Sequence, residues 1–196
     1  MVLRTRKLAF VASAALLATA LLLLLLLLAG PLAEAASASA CTRYGKDSPQ
    51  QLSKRQARMA VRCLVNRKRQ SHGLKRLDKS PRLKSASQWH TSYMQDHGCF
   101  AHECPGEPSV LSRLKSVNYI VGGLSAWAYG ENIAYGESRT GTPKAIVRAW
   151  MHSPGHRYNI LNPQFRQIGV GFARGTPPEP GAGGSTITTD FGMRKR

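Results

Sequence analysis

Two imidazoles and one carboxylate stand out in this chain. Each lies in a loop-like setting beside glycine, proline or aromatic residues. His102 follows Phe100-Ala101, Glu131 follows Tyr129-Gly130, and His156 closes the run Trp150-Met151-His152-Ser153-Pro154-Gly155. Two imidazoles and a carboxylate suffice for an open three-ligand divalent site with water in the remaining position. A hydrolase would need that open position and a general base; Glu103 and Glu137 are the carboxylates nearest the motifs in sequence. Ligands scattered over 54 residues carry no spacing signature, so groups that only hydrogen-bond their loops remain the alternative. Other chemistries are excluded by pattern. His152 and His156 have the spacing of a zinc-protease helix, but no Glu follows His152, and Pro154-Gly155 would break the helix. No nucleophile elbow, phosphate loop or dinucleotide fingerprint is present.

These residues need elements to hold them, and the cysteines supply part of the frame. Cys41, Cys63, Cys99 and Cys104 all follow an N-terminal segment with the features of an export signal. Arg4, Arg6 and Lys7 precede an apolar run over 8–29, Gly30-Pro31 breaks it, and Ala38-Ser39-Ala40 offers a cleavage pattern. Residues 1–40 therefore read as a signal peptide. A retained membrane anchor is the alternative, and lipidation of Cys41 a third reading. Each places residues 41 onward outside the cytoplasm, secreted or on the outer face of the envelope. An even cysteine count there favours two disulfides. Of three possible pairings, the expected one is Cys41–Cys63, stapling the N-terminal arm to the first helix, with Cys99–Cys104 closing a tight loop. A metal knuckle from His97, Cys99, His102 and Cys104 is the competing reading.

Helices are expected first. Residues 54–71 carry Ala57, Ala60, Val61 and Leu64 at helical spacing, with Arg55, Arg58, Arg62 and Arg69 together on another face. Ser80-Pro81 caps a second helix to about His97, with Leu83, Ala86, His90 and Tyr93 or Met94 inward. A short third helix covers 108–117. Thr142-Pro143 opens a fourth that stops at Ser153-Pro154-Gly155. Strands come late. Residues 168–173 alternate large and small, as in a strand with a helix packed on its small face. Residues 185–191 alternate Ile187, Thr189 and Phe191, and 175–185 reads as a long flexible hairpin loop. Residues 129–135 hold a further strand entry. The order indicates an α+β fold with late antiparallel strands.

The chain of 196 residues carries 28 Lys+Arg against 10 Asp+Glu, a formal net charge of +18, with 42% hydrophobic residues. That excludes a large multidomain enzyme and a wholly disordered chain. Without residues 1–40 the remainder keeps 25 basic and 9 acidic groups, a net +16. Residues 54–84 hold twelve Lys+Arg and the single acid Asp78. Nucleic acid is disfavoured as a partner, because the chain is exported and this stretch lacks aromatics. The expected partners are anionic cell-envelope polymers or lipid headgroups, met by the face of Arg55, Arg58, Arg62 and Arg69. A solvated, solubilising face is the bland alternative.

Several ordered motifs resemble the CAP superfamily, also called the SCP domain, in its bacterial branch. They are Leu64-Val65-Asn66, Phe100-Ala101-His102, Gly130-Glu131-Asn132-Ile133, the run from Trp150 to Asn162, Ile168-Gly169-Val170-Gly171 and Thr189-Asp190-Phe191-Gly192. Together they cover about 59–192, with 41–58 as arm and helix start and 193–196 as a basic tail. The resemblance implies an α-β-α sandwich with a cleft over the sheet. In that family two His and two Glu meet there, and some members bind zinc. His102, His156 and Glu131 match three of the four; Ser153 stands at the second Glu position, which weakens any acid–base pair. Members are linked to sterol or lipid binding, partner recognition and proteolysis, so the fold alone does not name a function. The expected function is an extracellular binding module with a His102/Glu131/His156 cleft that holds a divalent metal such as zinc or a lipid- or sterol-like ligand. The alternatives are a metal-dependent hydrolase using the same cleft and a charge-held structural protein of the envelope.

Overall fold

The helices begin where local chemistry starts them. The computed structural model describes residues 41–177 and 179–196; residues 1–40, read above as a signal peptide, lie outside the described residues. Helix α1 (Lys54–Gln70) opens with a capping box, in which Ser53 Oγ accepts from Gln56 N at 3.3 Å and Gln56 Oε1 accepts from Ser53 N at 2.8 Å. After the two-residue strand β1 (Asp78–Lys79), α2 (Pro81–Asp96) starts at the expected Ser80-Pro81 cap. A short α3 (Val110–Ser116) precedes strand β2 (Ala126–Glu137). Helix α4 (Pro143–His152) opens at Thr142-Pro143. Ser153-Pro154-Gly155 breaks that helix as expected, but Pro154 is also the first residue of a further helix, α5 (Pro154–Leu161), because a missing N–H costs nothing at that position.

Strands β3 (Gln167–Gly175) and β4 (Pro180–Lys195) complete one sheet in the order β1-β3-β4-β2, antiparallel except for the β1–β3 pair. The expected loop over 175–185 is much shorter. β4 pairs back from Pro180, and a register shift at Arg174/Gly175 absorbs the turn. The expected tail is likewise strand as far as Lys195.

Helices cover both faces. Leu52, Val61, Val65, Ile146, Trp150 and Ile160 pack with Ile168, Phe172, Ile187 and Phe191 in the main core, putting α1, α4 and α5 on one face. α2 lies on the other. A Cβ at Gly169 would overlap the backbone of Leu83 and Lys84, and one at Gly171 the Ser87 carbonyl, so the small positions of β3 let α2 approach this closely.

Arg69 departs from its expected place on the anion-facing surface. It is fully buried, donating from Nε to Lys75 O at 2.9 Å and from Nη1 to Ile160 O at 2.8 Å and Asn162 O at 2.9 Å. It satisfies carbonyls at the end of α5 that no helical N–H can reach. The spacing fixed its angle around α1 correctly, but at that height the chain after α5 covers the face.

Candidate functional site

Glu131 sits in the middle of β2, the sheet's outer strand on that side. Its neighbours along the strand alternate faces. Asn132 turns toward α5, where its Nδ2 donates to His156 O at 3.0 Å, and Asn159 Nδ2 donates to Asn132 Oδ1 at 2.9 Å and Glu131 O at 3.1 Å. Trp150 Nε1 donates to Ile133 O at 3.0 Å. These bonds tie α4 and α5 to β2 and fix the first turn of α5, which carries His156. His102 arrives from the opposite layer, inside the loop closed by Cys99–Cys104.

His102 and Glu131 meet directly, with His102 Nδ1 2.8 Å from Glu131 Oε1. In a neutral ring, donating the Nδ1–H to the carboxylate would leave His102 Nε2 as the acceptor nitrogen. The ring is half exposed, while the Glu131 side chain is buried. His156 stands near enough that, after burial, the His102 charge helps hold its imidazole below the ordinary value.

The other Glu131 oxygen is also engaged. Arg113 Nη2 donates to Oε2 at 2.7 Å, and Arg113 Nη1 lies 3.2 Å from Glu107 Oε1. Glu107 Oε1 in turn meets His90 Nδ1, and its Oε2 accepts from Cys104 N at 2.9 Å. Burial alone would raise the Glu131 pKa; the His102 hydrogen bond and the charges of His90 and Arg113 outweigh it and hold the carboxyl below its usual range. Burial pushes His90 toward its neutral form.

Asp190, opposite Glu131 in the β2–β4 register, behaves the other way. Burial, then the Glu131 charge, raise its pKa well above the ordinary value. The hydrogen count agrees. Ser87 Oγ lies 2.8 Å from both Leu83 O and Asp190 Oδ2 and has one hydrogen to give, so a protonated Asp190 supplies the second.

Sequence reasoning found His102, Glu131 and His156 but missed Arg113, Glu107 and Asp190, and read His90 only as an inward residue. One signal was available: Arg113 falls three residues after Val110 and beside Leu114, on the apolar stripe of α3. Among the described residues no group of three or more His, Cys, Asp or Glu is arranged to hold a metal ion. The knuckle of His97, Cys99, His102 and Cys104 does not form, since both cysteine pairs are disulfides, Cys41–Cys63 and Cys99–Cys104 as expected. That bond also occupies the Cys41 sulfur. Glu131 engages His102 through one oxygen and Arg113 through the other, and its side chain is buried.

A four-stranded sheet between helical layers, with a buried His–Glu–Arg cluster at one edge, defines an α+β sandwich of the SCP type. The cysteine-rich secretory protein family, CAP, matches residues 63–178, and the chain belongs to it. YkwD of Bacillus subtilis is 41% identical over 109 residues, which cover 56% of this chain and 39% of that protein. An extracellular SCP-domain protein of Bacillus anthracis superposes with a TM-score of 0.58 at 26% identity, over 70% of this chain and 40% of that one. An outer surface protein of Borrelia burgdorferi superposes with a TM-score of 0.56 at 16% identity, over 69% and 90% of the two chains, a likeness of fold alone. The match thus spans well under half of YkwD. Among the described residues no helix is long and apolar enough to cross a membrane.

Proposed function

We propose that this protein is an exported binding module whose ligand-facing site is the cleft at His102 and His156, with Glu131 as a positioning carboxylate rather than a base. One observation carries the reading: both Glu131 oxygens are taken, one by His102 and one by Arg113. Against burial, those partners favour the ionised carboxylate and hold its pKa below the ordinary value, which makes it a poor general base, and Ser153 stands where a second carboxylate would be needed. What the cluster does supply is a fixed tautomer. It presents His102 Nε2 as an acceptor at the cleft, beside an imidazole that is neutral near pH 7.

A divalent ion in this cleft would be held by His102 Nε2 and His156, with Glu131 behind His102 in the manner of an outer-shell carboxylate. The remaining positions would be open to water or to a ligand oxygen. The extracellular setting of the Bacillus anthracis relative and the export signal read from residues 1–40 support a location outside the cytoplasm.

The test is zinc titration of the tag-free mature chain, with ester and peptide substrates assayed alongside. Zinc retention is expected to be lost in His102→Ala and weakened about 10- to 100-fold in Glu131→Gln, with no turnover above background. Turnover that vanishes in Glu131→Gln would make that residue a base and overturn the binding reading.

A further inference from the structure

The sheet edge opposite the cleft carries a second, differently built site. A cavity of about 320 Å³ opens between α1 and α2 over the edge of β3. Arg55, Arg58 and Arg62 line one wall, at the i, i+3, i+7 spacing that shares a helix face over about 10 Å. Lys79 and Lys84 line the rest of the rim, and the floor is Ile168, Gly169 and Val170. Ile168 and Val170 are themselves buried in the main core, so the apolar side chain the groove offers a ligand is the half-buried Met59.

Several features separate this groove from an ordinary solvated basic face. No carboxylate lines it, and none of its five cations takes part in an ion pair among the described residues. Arg58 is held in place, not free: its Nη2 donates to Gln88 Oε1 at 2.7 Å, an oxygen that also accepts from Phe172 N at 3.1 Å. Its Nε is shielded from solvent and has no partner among the described residues. Burial lowers the pKa of Arg58 and, with the neighbouring Arg76 adding to it against Asp78, that of Arg62. Asp78 offsets this only in part at Arg62, and cations desolvated without an ion-pair partner are stabilised by an anion entering between them.

We infer that this groove binds a slender phosphodiester-linked polyol chain of the cell envelope, its phosphates on Arg55, Arg58, Arg62, Lys79 and Lys84 and its carbon backbone against Met59. Guanidinium forks match phosphate oxygens, and three arginines along about 10 Å of α1, with two lysines on the rest of the rim, suit more than one phosphate. A flat bilayer would reach Arg55, the exposed arginine of the three, but not the half-buried Arg58 and Arg62. Single-stranded nucleic acid relies on aromatic stacking platforms, and the groove lining has no aromatic residue.

The experiment is fluorescence anisotropy with a labelled synthetic glycerol-phosphate hexamer, competed with inorganic phosphate and with phosphatidylglycerol vesicles. The mature chain is expected to bind the hexamer, with inorganic phosphate a weak competitor. The double variant Arg58→Gln/Arg62→Gln should lose about ten-fold or more in affinity, since one charge-assisted hydrogen bond is worth about that factor. Arg55→Gln/Lys84→Gln, which disturbs no packed contact, should lose affinity in the same direction. Arg67→Gln/Lys68→Gln removes the same charge from the exposed end of α1 and should stay within about two-fold. Equal losses in all three variants would reduce the groove to undirected charge and overturn the assignment. Vesicles that outcompete the hexamer would overturn it in favour of a membrane surface. The cleft is built from other residues at the other sheet edge, so failure here leaves the reading of His102 and His156 untouched.

Discussion

Arg113 is the cation on which the buried carboxylates depend, and its removal tests the account of the cleft most directly. Its side chain is 3% exposed; it donates to Glu131 Oε2 at 2.7 Å, lies 3.2 Å from Glu107, and bonds the carbonyls of His102 and Pro108 at 3.0 Å. Arg113→Met keeps much of the stem and leaves two carboxylates in a site from which water is excluded. Breaking a buried pair from one side costs about 3–5 kcal/mol, a large part of the ~5–15 kcal/mol of a whole domain. Urea unfolding followed by tryptophan fluorescence at pH 7 is expected to show a loss of about 4 kcal/mol.

The pH dependence fixes the sign. Glu131 is held below its ordinary value, so its contribution is in place above the unfolded value of ~4.3 and is lost as pH falls through the lower folded one. In the variant, burial dominates and Glu131 takes up its proton more readily. The gap between the two proteins should therefore narrow from pH 7 to pH 4. Adding Glu131→Gln should recover part of the loss, with a coupling of about 2 kcal/mol. A loss under about 1 kcal/mol at pH 7, or one unchanged at pH 4, would refute the claim that Arg113 neutralises the cluster.

Two further outcomes follow from packing and covalent constraint. Replacing Cys99 and Cys104 with serine should cost about 2 kcal/mol, and replacing Cys41 and Cys63 about 3 kcal/mol, because the second closes the longer loop; calorimetry that reverses this order would count against the entropic account. Tyr119 has a buried hydroxyl without a partner, and its phenol is pushed up to about 12 by burial, against the Arg194 charge. Ionising this phenol opposes the fold, so stability is untouched below pH ~10 and falls as pH rises through about 12. Ultraviolet titration should show one tyrosine lagging the rest, and Tyr119→Phe should be neutral or stabilising.

Much of this was readable because it rests on local chemistry. Ser80-Pro81 and Thr142-Pro143 each start a helix through their own backbone, and Gly169 and Gly171 announce a close helix by having no side chain. The motifs around His102 and Glu131 were equally plain. The electrostatics behind them were not, because they depend on partners distant in sequence. Ser87 meets Asp190 across 103 positions, and Arg113 meets Glu131 across 18. Arg69 shows the same limit: helical spacing gives the direction of a side chain but not what lies over it.

The free margins of the sheet have a consequence for self-association. An open strand edge is a template on which another chain can add a strand. On β2 the outward carbonyls of Glu131 and Ile133 are already capped by Asn159 and Trp150. On β3 the Phe172 N–H is taken by Gln88, and the approach beyond Ile168 is flanked by arginine and lysine that would repel a second copy. Each margin thus carries side chains that interrupt its unpaired backbone, and these hinder the addition of a strand from a second copy.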